Sequence, residues 1–436
     1  MSSAASWRKR LGGLGVLVLA SVVLAACSST NSSSTTTSTS ATGHTSSKIP
    51  QSAMSDHTGV TSSTIHVANI ATLTPGGLFK GADVGTQAYF DYVNSTGGVG
   101  GRKIVVDSGD DQNQGAVNLQ LTQSAINSDL AIVGEFSLQD SFGGTLLAKN
   151  PGMPDISNVL DLATSNLPNV FSPVPLQGGW EEGAVQYFKS RFPNDVTAGA
   201  MIGNEPASEA AWVGEKYVLE KVGFHVVYDP VFPITQTDFT QNVIAMRNAG
   251  VKILFLEQMP ENYAGSLLTD LAQQNYHPQI IFGAAAYSTQ LVSASGGAAN
   301  IDGSLLEQNA SLYLGEDASN VPAVSSFLHW VNIASPGFHP DLFTLYGWLS
   351  GELFTQALRN AGSDPSRGSL LTALSKITSF NGDHIVTTSD PAAKTTSNCY
   401  LIGEIANGTF QRVGDPPVSS PTYGYRCNYS YVTPPS

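Results

Sequence analysis

Residues 94–112 read NSTGGVGGRKIVVDSGDDQ, with glycines at 97, 98, 100 and 101. A phosphate-cradling loop runs strand, glycines, helix, so that free N–H groups at the helix start face the anion. The order here is reversed. ADVGTQAYFDYVN (82–94) carries apolar residues at helical spacing and comes first. KIVVD (103–107), short and β-branched, comes after the glycines and reads as a strand. The glycines therefore close a helix through left-handed backbone angles and lead into a strand. Asp110 and Asp111, just after that strand, read as turn and cap residues. As a catalytic pair they would need a partner pocket and shifted acidity.

The same unit repeats on both sides. TIHVANIATL (64–73), LAIVGEFS (130–137) and MPDISNV (153–159) read as strands, separated by helices near 82–94, 114–128 and 141–150. LPNVFSPVPLQ (167–177) interrupts with three prolines, after which the alternation resumes to about residue 286. Regular βαβ alternation predicts parallel sheets covered on both faces, and 436 residues suit two α/β lobes better than one core. Farther on, 317–335, 342–362 and 369–377 read as helices, the second of them apolar on nearly every side and so expected to be buried. The stretch 399–413 reads as a hairpin turning at Asn407–Gly408.

Charged residues make up only 12% of the chain and the formal net charge is −14, which disfavours nucleic acid or anionic lipid as a surface partner. Arg8, Lys9 and Arg10 precede an apolar run, LGGLGVLVLASVVLAA (11–26), that is shorter than the roughly 20 residues of a comfortable membrane span. The run ends in LAAC (24–27), which resembles a bacterial lipoprotein signal. This predicts a signal peptide over 1–26 and lipidation of Cys27, with an ordinary secretory signal as the other reading. Ser and Thr dominate the chain after Cys27, so 27–63 is expected to be a lipid-anchored tether. Once Cys27 is assigned, Cys399 and Cys427 are left, and outside the cytoplasm they are expected to form a disulfide; two buried thiols are the alternative. The histidines show neither HxH nor HExxH spacing and no CxxC occurs, so no metal is expected.

From about Thr64 to Val413 the chain resembles a type I periplasmic binding protein, of the branched-chain amino acid (leucine-binding) kind that serves ABC importers. The most specific match is N-x-x-GG-V-x-GRK in residues 94–103. GEFS (134–137) matches a G-P-x-S loop with Glu135 in place of proline; LPNVF, LEKVGFHVV (219–227), TDFTQNVIAMRNAG (237–250) and LYGW (345–348) match further family segments. The resemblance implies two Rossmann-like lobes, 64–172 plus 308–380 and 173–307 plus 381–433, joined by three crossings and closing on a solute. It implies no catalysis and no cofactor. The solute contacts it implies are Phe79, Ser137, Leu138, Asn158 and Val159 from the first lobe. From the second lobe it implies Gln258 and Met259, with Glu205 as a candidate carboxylate and Tyr287 close by. Two departures bear on specificity. Ala207 stands where the family has an aromatic cover, and GAAAY (283–287) lacks the acid often found there. The solute is therefore expected to be amino-acid-like, an amide or a carboxylate, rather than leucine in particular. The expected partners are that solute, ABC permease subunits and the membrane through lipid on Cys27, with no nucleic acid. A sensory receptor module is the alternative. A hydrolase is disfavoured because G-x-S-x-G is absent.

Overall fold

The computed structural model describes residues 49–74, 77–233, 235–427 and 430–435. The leader, Cys27 and the first part of the expected tether lie outside the described residues.

The helix Lys80–Ser95 ends as the glycines require. Gly98 has φ of 75° and donates its N–H to the Val93 carbonyl at 3.0 Å. A β-carbon there would sit 2.0 Å from the Arg102 carbonyl oxygen, so the return is tight enough to demand glycine. Asn94 then clamps the helix end to the next strand. Its amide donates to the Ile104 carbonyl at 2.7 Å and its oxygen accepts from the Ile104 N–H at 2.8 Å.

That strand, β2 (Lys103–Asp110), lies parallel to β1 (Thr64–Ala71) from Thr64↔Lys103 to Ala71↔Asp110. β3 (Ala131–Val133), β4 (Asp155–Ile156) and β5 (Val170–Phe171) complete a five-stranded parallel sheet in the order β2-β1-β3-β4-β5. Past the proline-rich passage come β6 (Trp180–Glu181), β7 (Thr197–Ala200), β8 (Ile202–Gly203), β9 (His225–Tyr228), β10 (Val231–Phe232), β11 (Ile253–Leu256) and β12 (Gln279–Phe282). β13 (Leu305–Gln308), the hairpin β14 (Leu401–Ala406) and β15 (Thr409–Arg412), and β16 (Tyr431–Val432) complete the strands. The second sheet runs β15-β14-β13-β12-β11-β7-β9, parallel except for the hairpin at its edge. The fold is thus α/β with two parallel-sheet layers.

Several elements are shorter than their sequence pattern. The strand expected over 224–232 divides at Asp229–Pro230, because proline supplies no N–H to a ladder; β10 then pairs with β8 instead. The helix expected over 317–335 divides into Asp317–Asn320 and Pro322–Ala334, with extended Val321 before the proline. The strand expected over 153–159 keeps only two paired residues. Part of the stretch expected to be tether is packed on the fold. Residues 49–63 dock on the fold, with Ala53 buried, His66 N–H bonded to the Gly59 carbonyl at 2.8 Å, and Arg367 paired to Asp56 at 3.0 Å. The apolar and charged residues in IPQSAMSDHTGV give this segment something to bury, unlike the Ser/Thr run before it.

The long helix Leu342–Asn360 comes from late in the chain yet packs on the helix Lys80–Ser95 of the first sheet. The contact is backbone against backbone. A β-carbon on Gly85 would lie 1.9 Å from the Thr344 oxygen, and one on Gly347 would lie 2.1 Å from the Ala82 oxygen. Fully buried Asp317 opens the short helix Asp317–Asn320; it accepts from Arg412 on β15 at 2.6–3.1 Å and from the Leu312 N–H at 2.8 Å.

Cys399 and Cys427 are joined across 28 positions, tying the approach to β14 to the tail that carries β16. Reduction is expected to lower stability by about 3.5 kcal/mol, the loop-closure entropy of such a cross-link. Thermal melts with and without dithiothreitol would measure it, and equal midpoints would refute it.

Candidate functional site

A cleft of about 410 Å³ opens between the C-terminal ends of the two sheets. Parallel strands leave their connecting loops at that edge, which is where open α/β sheets receive ligands. One wall comes from loops after β1, β3 and β4 and from the start of the helix Leu342–Asn360. Phe79, Phe136 and Phe343 form a triangle there, with ring centroids 4.7–4.9 Å apart, Phe79 edge-to-face with each of the others and Phe136 tilted against Phe343. Phe79 is held at the start of the helix Lys80–Ser95 by its N–H bond to the Thr72 carbonyl at 3.1 Å, and Phe343 because Asp341 and Thr344 close a capping box at the start of the long helix. The glycine contact between those two helices brings the rings together. Leu78, Leu138, Leu160 and Tyr346 extend the apolar wall.

The opposite wall is acidic. Glu181 on β6, Glu257 after β11 and Glu307 on β13 line it, each partly buried, beside Gln258 and Gln308. Glu215, on the helix Pro206–Val222 and 2% exposed, stands behind them. Burial pushes the Glu181 carboxyl up to about 7 against the N–H groups of Ala184 and Gly183, which favour its charge. Glu215, Glu257 and Glu307 are pushed well above the usual carboxylate range, first by burial and then by one another's charge. Among the described lining residues none is Lys, Arg or His.

Six of the nine residues expected to touch solute line this cleft: Phe79, Leu138, Asn158, Val159, Glu205 and Gln258. Three do not. Ser137 is fully buried, donates its hydroxyl to the Asp111 carboxylate and accepts from the Gln139 N–H at 2.8 Å, so it ties β2 to the loop after β3. Met259 is packed inside the second-sheet core because the chain turns inward before the helix Glu261–Gln273. Tyr287 is 1% exposed, wedged between Tyr313 and Phe410, with its hydroxyl accepting from the Leu314 N–H at 2.8 Å. Glu205 precedes the helix Pro206–Val222 and caps nothing; burial raises its carboxyl.

Asp110 and Asp111 hold backbone, as turn residues do. Asp110 accepts from the N–H groups of Leu73, Thr74 and Gln112. Against slight burial, these and the Thr74 hydroxyl hold it below the usual carboxylate range. Asp111 accepts from Thr72, Asn113 and Asn118 besides Ser137.

Sequence reading missed the acids of the second wall. Glu307 lies in SLLEQN, an acid inside an apolar strand, and Glu257 directly precedes Gln258; both were visible signals. Their convergence was not, since 181, 257 and 307 are far apart in the chain. The structure also brings His66, Asp107 and Asp129 within 4.8 Å of one another, a grouping that histidine spacing could not reveal. His66 Nδ1 and Asp107 are 2.8 Å apart, an ordinary exposed pair.

A family model described as "Periplasmic binding protein" matches residues 64–409. The chain belongs to that family, whose members and structural neighbours are substrate-binding proteins rather than enzymes. It is 24% identical over 296 residues to "Leu/Ile/Val-binding protein homolog 1" of Brucella suis, covering 64% of this chain and 73% of that one. Among solved structures, the branched-chain amino acid binding protein LivJ of Streptococcus pneumoniae, in complex with isoleucine, superposes with TM-score 0.67 at 19% identity, covering 80% of this chain and 99% of that one. A fatty acid ABC transporter binding protein from Thermomonospora curvata gives TM-score 0.66 at 18% identity over 87% and 95%. A solute-binding protein from R. palustris with 4-hydroxybenzoate gives 0.67 at 14% over 80% and 96%. The protein is thus a solute-binding protein of the periplasmic binding family, a class that works outside the cytoplasm. Among the described residues no helix is long and apolar enough to cross a membrane.

Proposed function

We propose that this protein is the lipid-anchored receptor of an ABC importer. Cys27 carries the lipid, the Ser/Thr-rich stretch holds the folded body off the membrane, and two lobes close on a small solute that is handed to the permease. The observation that carries the reading is the cleft itself. Loops from both sheets meet around one largely apolar cavity of about 410 Å³, a size suited to a small molecule. In this reading the lobes are 64–172 plus 308–380 and 173–307 plus 381–433. The relatives support a small solute with an apolar body: isoleucine and 4-hydroxybenzoate, present in two of the neighbours, are both of that kind.

Isothermal titration of the purified folded domain against amino acids, amides, amines and organic acids tests the reading. One class is expected to bind with heat, and small-angle scattering is expected to show closure on addition. A well-folded protein that binds no member of the panel refutes it. Phe343→Ala is expected to weaken the bound solute about tenfold or more, the loss expected when a ring leaves an apolar wall. Unchanged affinity would show that the aromatic triangle does not face the solute.

A further inference from the structure

The cleft is polarised. Its first wall is aromatic and aliphatic, and its second presents carboxyl groups with no cation to answer them. The serine that would meet a solute carboxylate, Ser137, is turned into the fold and held by Asp111. At the acidic end, Gln308 is 1% exposed, lines the cleft, and finds no partner for either its Oε1 or its Nε2. One Glu181 oxygen and one Glu257 oxygen are likewise out of water with no hydrogen bond. Buried polar atoms are nearly always satisfied, so a group of this kind at a cavity wall marks where a ligand atom belongs.

We infer that the solute's polar end is a cation, an ammonium or amidinium on an apolar body, received between Glu181, Glu257 and Glu307 with Gln308 as a neutral contact. The inference rests on the receptor reading above and names the solute class for the same cleft. A bare metal ion fits less well. Among the described residues the only three potential ligands with atoms within 4.8 Å of one another are His66, Asp107 and Asp129, so these glutamates are spread more widely than a metal's first shell.

The arrangement also sets the proton balance. Glu181 feels the charge of Glu182, which is paired with Lys221 at 3.1 Å, while Glu215 stands on the helix behind and Glu257 and Glu307 come from the ends of β11 and β13, on either side of β12. Tyr431 on β16 lies beside Glu181 and Glu307 with its hydroxyl given to the Gln177 and Gly179 carbonyls, and the Tyr400 hydroxyl, also on this wall, donates to the Gly183 carbonyl. So many acids in one place hold protons when the cleft is empty. A cation favours their ionised forms, so binding releases protons and weakens as the pH falls. A carboxylate solute would instead keep the acids protonated, so its binding would release no protons and would strengthen as the pH falls.

Three matched probes separate these cases: n-hexylamine, hexanamide and hexanoate, titrated calorimetrically near pH 7 in buffers of different ionisation enthalpy. Hexylamine is expected to bind at least about tenfold more tightly than the other two, with net proton release, and to weaken at least about fivefold from about pH 8 to about pH 5.5. Glu257→Gln and Glu307→Gln are each expected to weaken hexylamine about tenfold or more. Glu352→Gln, an acid farther along the helix Leu342–Asn360 and not among the cleft-lining residues, is the folding control and is expected to leave the hexylamine affinity unchanged. Hexanoate binding as well as hexylamine, proton uptake, tighter binding of calcium than of the amine, or unchanged affinity in both glutamate variants overturns the inference. The proton count on the unmutated protein needs no variant to fold. If all three probes fail while another solute of the wider panel binds, the cation is wrong and the receptor reading stands; if nothing binds, both fall.

Discussion

Replacing Gly347 by valine is expected to destabilise the protein by about 4 kcal/mol or more, or to prevent folding, although the residue lines no cavity and touches no charge. The reason is distance. The helices Lys80–Ser95 and Leu342–Asn360 meet so closely that even one added carbon at Gly347 would lie 2.1 Å from the Ala82 oxygen, and one at Gly85 would lie 1.9 Å from the Thr344 oxygen. Backbone cannot swing aside as a long side chain can, so the helices must separate. Separation moves Phe79 and Phe343 apart, and the aromatic wall opens. Denaturant unfolding of Gly347→Val beside Gly337→Val, a surface glycine with open space around it, would check this. The control has φ of 80° and should lose some stability to backbone strain; an equal loss in the two variants would refute the packing argument.

The ligand-free protein is expected to be more stable near pH 5 than near pH 8, with a melting midpoint higher by on the order of 5 °C. The sign comes from which groups are shifted. Glu181 and Asp155 titrate near 7 and Glu352 near 8 in the fold, all raised chiefly by burial, and Asp129 and Asp140 are raised to about 6 by the same cause. Their unfolded values lie near 4. Between those limits the folded chain binds more protons than the unfolded one, so stability falls as the pH rises. The stabilisation is complete below about pH 4 for these groups and is lost as the pH climbs through 6 to 8. Asp56, Asp110 and Asp238 are shifted downward and act oppositely, but only below the ordinary carboxylate value, outside this window. Lys394, lowered to about 8 by burial, favours the fold with rising pH only above that point. Melting curves across the range would show the slope, and a midpoint that rises toward pH 8 would contradict it. A bound cation should flatten the slope by drawing protons from the cleft acids in advance.

The two expectations divide along what a linear chain records. The closed turn at residues 97–101 was legible because positive backbone angles demand glycine locally, and its bonds, Asn94 to Ile104 and Gly98 to Val93, span ten residues or fewer. The alternation of strands and helices was legible for the same reason, as was the hairpin at Asn407–Gly408, where both residues do adopt positive φ. Loops at strand ends could be placed at the cleft, which is why Phe79, Leu138, Asn158 and Gln258 fell on its lining. Ser137, Met259 and Tyr287 lie off that lining because a loop position fixes a neighbourhood and not the direction of a side chain. Each of the three found a better partner inward: a buried carboxylate, an apolar core, or an aromatic pair with a free N–H. The docking of residues 49–63 was missed because a single buried alanine and one ion pair to distant Arg367 leave no periodic trace.

By itself the sequence determined the α/β class, the order of its units, the closing of helix Lys80–Ser95 and the likeness to solute receptors, because each depends on residues close together in the chain. Only the tertiary structure decided that the cleft has an aromatic wall and an acidic one. Residues 79, 136 and 343, like 181, 257 and 307, meet through packing across the fold, and the energies that matter at that end, burial and mutual repulsion of carboxyl groups, depend on distances that no spacing along the chain encodes.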